Sequence, residues 1–200
     1  MLRAAALRLC AAWVVCSALG FLFGDTLLRG ATPLLSAAVH WIAPELQSGV
    51  SLIDDGRGGT QLLLDARTEQ PLALGDGLVV PVGQALPSRA NGVHVLVPLV
   101  ILCSALFTLP ARDRRERVLL VASILPLGLA VLLVTAPFQL VGLIELALQD
   151  YASSHGVARA DPLSLHWMLF LESGGRWVLP LVFAAVSYAG VRRFGTRRLT

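Results

Sequence analysis

The chain has 200 residues, of which 56% are hydrophobic and 14% are charged, and its mean hydropathy is +0.72. Soluble domains use about 25% charged residues, so this composition excludes an ordinary soluble domain and predicts an integral membrane protein. All 16 basic residues are arginine and the net charge is only +3, which does not favour a nucleic-acid-binding protein. At roughly 20 residues per crossing, the length allows four helices and one small domain.

The first apolar segment, within residues 1–28, predicts a transmembrane helix. It follows a short basic start, Met-Leu-Arg, and stays apolar as far as Asp25. A cleaved signal peptide is the alternative, because both begin with a basic residue and an apolar run. The run is longer than a usual signal-peptide core, and no small-x-small cleavage site ends it, so an uncleaved anchor is favoured.

Residues 29–92 predict an extracytoplasmic segment with two parts. Thr32 and Pro33 are the N-cap and first residue expected of a short amphipathic helix, which would hold Trp41 at the depth of the lipid headgroups. Short apolar runs separated by Asp- and Gly-rich turns then predict a small antiparallel β-meander. These runs lie at 50–53, 60–64 and 78–82.

Three further apolar segments complete the predicted fold, which is mostly α and membrane-integral, with four transmembrane helices and the β-meander between the first and second. The order of these parts is transmembrane helix 2 at 93–109, a basic turn at 110–117, helix 3 at 118–148, a loop at 149–164, helix 4 at 165–191 and a tail at 192–200.

The arginines predict how the chain is oriented. Ten of them fall in the two terminal tails and the 110–117 turn, and the other six are spread over much longer connections. Arginine is enriched in cytoplasmic loops, so both termini and this turn are expected in the cytoplasm of a bacterial cell, with the chain in its inner membrane. The ten are Arg3, Arg8, Arg112, Arg114, Arg115, Arg117, Arg192, Arg193, Arg197 and Arg198.

Polar side chains near the outer ends of the predicted helices form a candidate pocket or partner contact. Glu172 and Arg176 are four residues apart and would share a helix face. Ionisable residues entering a membrane are a functional hypothesis by default, and the alternative is an interfacial salt bridge beside Trp177. The glycines between them predict a close helix crossing, a bend or a break. The full candidate set is Asn91, His94, Glu145, His166, Glu172 and Arg176.

No pattern predicts a metal, a cofactor or a nucleophile. Phosphate loops and zinc motifs are absent from the sequence. Cys103 with a histidine is the one candidate nucleophilic pair, but a thiol near the middle of a bilayer is desolvated, which disfavours the reactive thiolate. A packing role is therefore expected for Cys103.

The second half carries a family resemblance, in the stretch Ala90-Asn-Gly-Val-His-Val, the basic turn 107–117, the long apolar segment after it, and His166-Trp167 before the last helix. This stretch resembles the C-terminal core of exosortases, multispanning bacterial proteins that process and sort surface proteins with C-terminal sorting tails. His166 stands where the family has a catalytic histidine. Ala90 stands where the family has its nucleophilic cysteine, and 136–139 lack the family's arginine.

These departures imply a scaffold without catalysis. The resemblance therefore implies a noncatalytic accessory membrane protein, whose partner is an exosortase or its sorting-tail substrate. Two alternatives from other classes remain. One is a membrane enzyme, or a ligand-binding or transport subunit, that uses the outward polar pocket. The other is a structural subunit of a larger envelope complex.

Overall fold

The structure, a computed structural model, describes residues 2–56 and 59–196. It is mostly helical, at 67%, with a small antiparallel sheet, so the predicted fold class is confirmed at this level. Arg197 and Arg198 of the predicted tail lie outside the described residues. The chain divides into two compact units, one formed by Asp25–Val95 and Leu133–Gly174, and the other by the described parts of Met1–Gly24, Leu96–Leu132 and Gly175–Thr200.

Helix α1 runs without a break from Leu2 to Ile42. The predicted helix start at Thr32 is therefore wrong, because the Thr32 hydroxyl donates to the Arg29 carbonyl within the same helix (2.8 Å) instead of capping a new one. Pro33 costs α1 one backbone hydrogen bond. Burial offsets this cost, since Leu35 and Val39 on the following turns are fully buried.

The strands of the first unit form two small sheets. The strands are β1 (Leu46–Asp54), β2 (Thr60–Thr68), β3 (Leu72–Gly75), β4 (Leu78–Val80) and β5 (Ser88–Asn91). The larger sheet has the antiparallel order β1-β2-β5, and β3 and β4 form a separate hairpin. The predicted meander order is wrong, because the predicted third strand at 78–82 corresponds to β4, which pairs with β3. The strand that pairs with β2 is β5, with Leu62 opposite Ala90.

Helix α2 spans Gly92–Thr108, against the predicted 93–109. The next predicted helix is divided in two: α3 (Arg114–Ala122) begins at its N-cap Asp113, whose side chain accepts from the Glu116 amide, and α4 (Ile124–Ser154) follows a turn at Ser123. A hydroxyl–hydroxyl bond from Ser187 to Ser123 (3.0 Å) stabilises this turn.

The last predicted helix is also interrupted. Helix α5 (Leu163–Phe170) passes into a π-helical turn, Leu171–Gly175, and then into α6 (Arg176–Thr196). Gly174 has a φ of 117° there, a conformation that favours glycine. The glycines therefore break the regular helix, which was one of the three predicted outcomes. A Cβ at Gly174 would meet no other part of the protein within 4 Å, so a close helix crossing is not the reason for this glycine.

The second unit has a helical core. Its centre is made of buried side chains from four helices: Leu102, Leu106, Leu120, Val131 and Ala184. On α1, Gly20 and Gly24 face α2, where the side chains of Val100 and Leu96 lie against them. Trp13 of α1 stacks on Trp177 of α6 with ring planes 6° apart. Small residues four apart let two helix backbones approach closely, which explains how α1 and α2 pack.

Within the described residues, three helical stretches are long and apolar enough to cross a membrane: Ala6–Ile42, Arg114–Ser154 and Leu163–Arg193. The remaining apolar helix, Gly92–Thr108, has 17 residues. At 1.5 Å per residue it measures about 25 Å, slightly less than the roughly 30 Å of a bilayer core.

Candidate functional site

Glu145 forms a partly buried ion pair in the first unit. Its carboxylate accepts a hydrogen bond from the guanidinium of Arg159 at 2.5 Å, and the two side chains are 11% and 15% exposed. One turn further along α4, the Gln149 amide donates to the Arg159 carbonyl at 3.0 Å. The loop after α4 is thus held against the helix through both the side chain and the backbone carbonyl of Arg159. Glu145 is one of the six residues predicted from the sequence, and its partner Arg159 is not.

A groove of about 350 Å³ lies beside Glu145. Three parts of the first unit enclose it: the end of α1 with the following turn, one face of α4, and the start of α5. Phe138, Val141 and Glu145 share that face of α4, because their spacing of three and four residues follows the helical repeat. The remaining lining residues are Trp41, Ile42, Ala43, Glu45, Pro162, Leu163 and Ser164. The five other candidate residues do not line it.

Glu172 is exposed and lies in the π-helical turn, where it accepts a hydrogen bond from the Gln139 amide at 3.1 Å. Close to it in the fold, the indole of Trp167 donates to the Val134 carbonyl at 2.8 Å. These two bonds join α4 to α5 and the π-helical turn. Arg176, the other member of the predicted pair, is the first residue of α6 and is half-buried.

Asn91 and His94 lie where β5 passes into α2. The Asn91 side-chain oxygen accepts from the Val93 amide at 2.9 Å and so satisfies a donor at the helix start. A Cβ on Gly92 would lie 2.7 Å from the Thr60 carbonyl oxygen, so the Asn-Gly step fits a close approach of two backbones. His94 is exposed in the first turn of α2.

His166 is exposed on α5, with its Nδ1 3.2 Å from the Pro162 carbonyl oxygen. A carbonyl oxygen only accepts, so this bond requires a proton on Nδ1. Four of the six candidates, Asn91, Glu145, His166 and Glu172, therefore have different structural partners. In the part of the chain that the structure describes, no group of three or more His, Cys, Asp or Glu residues is arranged to hold a metal ion.

The chain was also compared with known proteins. It matches no protein-family model, no curated protein and no solved structure.

Proposed function

We propose that this chain is an integral membrane protein with four crossings, whose β-strands and α4–α5 loop lie outside the cytoplasm. Exposed apolar side chains support the membrane assignment. Phe21, Leu22 and Phe23 follow one another on α1, and each is at least 60% exposed. Successive helix residues point about 100° apart, so this part of α1 presents apolar surface in several directions. Such a surface is stable in lipid but not in water.

The fourth crossing in this proposal is α2. Counting α2 makes the number of crossings even, which places both termini on one side of the membrane. The three longer stretches alone would place the termini on opposite sides. With four crossings, Arg8, Arg112 and Arg193 all lie on the cytoplasmic side, as the positive-inside rule requires. Thinning of the bilayer or snorkelling of flanking arginines accommodates a short helix at modest cost.

Within the membrane, we propose that the chain is a noncatalytic accessory protein of an exosortase-type sorting system, in which it contacts the enzyme or its sorting-tail substrate. The observation that carries the noncatalytic part is Ala90. It is a buried strand residue opposite Leu62, at the position where the resembling family has its nucleophile, and a methyl group cannot form an acyl-enzyme. The partners of Asn91 and His166 described above are also structural.

Co-purification tests this role. The tagged full-length chain would be extracted from its native membrane in a mild nonionic detergent, captured, and analysed by mass spectrometry beside an equally abundant tagged inner-membrane protein as control. We expect an exosortase or a sorting-tail protein to be enriched with this chain alone, and sorting-tail processing to change when the chain is deleted. Capture without either partner, together with normal processing in the deletion strain, would exclude the accessory role.

A second candidate function is a ligand-binding subunit, and the groove beside Glu145 favours it. The groove combines carboxylates with aromatic and aliphatic walls, as small-molecule sites do. Substitutions in the groove distinguish a binding site from a scaffold. In a binding site they abolish the protein's function although the folded variant accumulates to the wild-type level, whereas a scaffold tolerates them. Glu45→Gln is suited to this comparison, since Glu45 lies in a turn at the end of α1.

A further inference from the structure

The groove beside Glu145 carries a net negative charge. Glu145 is neutralised by Arg159. Glu45, the other carboxylate in the lining, pairs with no cation among the residues that the structure describes. The side-chain donors among the lining residues are the Ser164 hydroxyl and the Trp41 indole N–H. A molecule that brings a positive charge to Glu45 and an acceptor to Ser164 therefore complements this lining.

The walls of the groove favour an ammonium group over a hydrated metal ion. Trp41 and Phe138 are aromatic, and their ring faces attract cations within about 6 Å. Most of the other lining residues are aliphatic, and Glu45 is the one lining carboxylate not paired with Arg159. The groove therefore supplies fewer side-chain oxygen ligands than the roughly six to eight that a cation such as Ca²⁺ takes. At about 350 Å³, the volume is at the small end of the range for ligand sites, which fits a headgroup-sized molecule.

The position of the groove favours a lipid as the source of that ammonium group. The potential spanning stretch Ala6–Ile42 ends at the groove, and the stretch Leu163–Arg193 begins there. Trp41 and Leu163 at its edge are 82% and 77% exposed. Tryptophan is enriched where helices leave the hydrocarbon core, so an apolar edge beside a carboxylate suits a molecule with an acyl chain and a cationic headgroup.

We propose that this groove binds the headgroup of phosphatidylethanolamine. The ammonium lies between Glu45 and the Trp41 ring, the phosphate accepts from Ser164, and an acyl chain follows Leu163. This inference rests on the membrane association proposed above but not on any sorting partner.

Native mass spectrometry of the full-length protein in nonionic detergent tests the proposal. The probes are palmitoyl-oleoyl phosphatidylethanolamine and the phosphatidylglycerol with the same chains, added at equal concentration. We expect the wild type to retain at least about five times more of the amine lipid, since one charge contact and one cation–π contact discriminate between them. Glu45→Gln should bring this ratio close to one, and Trp41→Leu should lower it about threefold.

Asp76→Asn is the matched control, because Asp76 is an exposed acid in the β3–β4 turn, away from the groove, and asparagine tolerates its positive φ of 45°. The control should keep the wild-type ratio. Equal retention of the two lipids by the wild type, or an unchanged ratio in Glu45→Gln, would overturn the proposal. Displacement of the lipid by free ethanolamine at a similar concentration would overturn the assignment to a lipid.

Alkaline extraction of membranes carrying the wild type tests membrane integration independently of lipid binding in the groove. We expect the chain to stay in the pellet. Release into the supernatant would refute membrane integration itself. Retention in the pellet together with equal binding of both lipids would refute only the groove assignment.

Discussion

The guanidinium of Arg159 donates to the carboxylate of Glu145, fourteen residues earlier in the chain. Gln149, between them, binds the Arg159 backbone. The loop after α4 is therefore folded back along the helix by one charged and one neutral contact, and this fold brings Pro162 and α5 to the groove. The ion pair thus supports the geometry of the groove without supplying its net charge.

Removing one member of this pair should destabilise the protein. In Arg159→Gln or Glu145→Gln, the remaining charge keeps its partial burial and loses its partner, at an expected cost of about 2 kcal/mol. The double substitution should recover part of this loss, since it removes the uncompensated charge. Thermal unfolding followed by tryptophan fluorescence in detergent measures both effects. Single variants as stable as the wild type would show that the pair contributes nothing.

This pair also shows what the sequence could and could not predict. Helix α2 was predictable to within one residue, because a mostly apolar run lies between Asn91-Gly92 and Pro110. Glu145 could be assigned to the third apolar helix, but that helix continues beyond its predicted end at 148 to Ser154, so Glu145 lies farther from the helix end than predicted. Its partner depends on how a loop of irregular sequence folds back, and no local pattern encodes that path.

The two wrong predictions, the helix start at Thr32 and the order of the strands, also come from contacts between residues that are distant in the sequence. Thr32-Pro33 is a strong local start signal, yet the buried residues Leu35 and Val39 keep α1 continuous, and their burial depends on tertiary packing. Strand β5, Ser-Arg-Ala-Asn, contains no apolar run, and only its pairing with β2 makes it a strand. Local sequence patterns fail to predict the structure wherever contacts between distant residues determine it.

Gly174 is predicted to require glycine for its backbone conformation alone. Its φ is 117°, yet an added Cβ would meet no atom within 4 Å. Gly174→Ala should therefore cost about 1–3 kcal/mol through strain and not through a clash. Gly190→Ala is the control, since Gly190 lies in α6 with equally open space, and alanine there should be neutral or stabilising by about 0.5–1 kcal/mol. Unfolding temperatures of the two variants give the comparison, and similar values would contradict the strain argument.

Gly24 is predicted to set how closely α1 and α2 pack. A Cβ there would overlap the side chain of Leu96, and one on Gly20 would lie 3.3 Å from Val100. Gly24→Ile should separate the helices and cost about 1–3 kcal/mol, as overpacking generally does. Gly30→Ile is the matched control, because Gly30 is on the same helix and faces open space. Equal unfolding temperatures for the two variants would indicate that this packing contributes little to stability.

The number of crossings is predicted to be four, and one pair of cysteine probes decides between four and three. In a variant lacking Cys10, Cys16 and Cys103, a cysteine would be placed at Gln70 or at Arg115, both exposed. A membrane-impermeant maleimide added to spheroplasts should label the Gln70 probe, whereas the Arg115 probe should react only after permeabilisation.

The reason lies in α2. If this helix crosses, the turn that carries Arg115 is in the cytoplasm. If only the three longer stretches cross, α2 returns the chain to the outer face, and both probes would react in intact spheroplasts. Labelling of the Arg115 probe from outside would therefore refute the fourth crossing. It would also place the arginines of that turn on the side that the positive-inside rule disfavours.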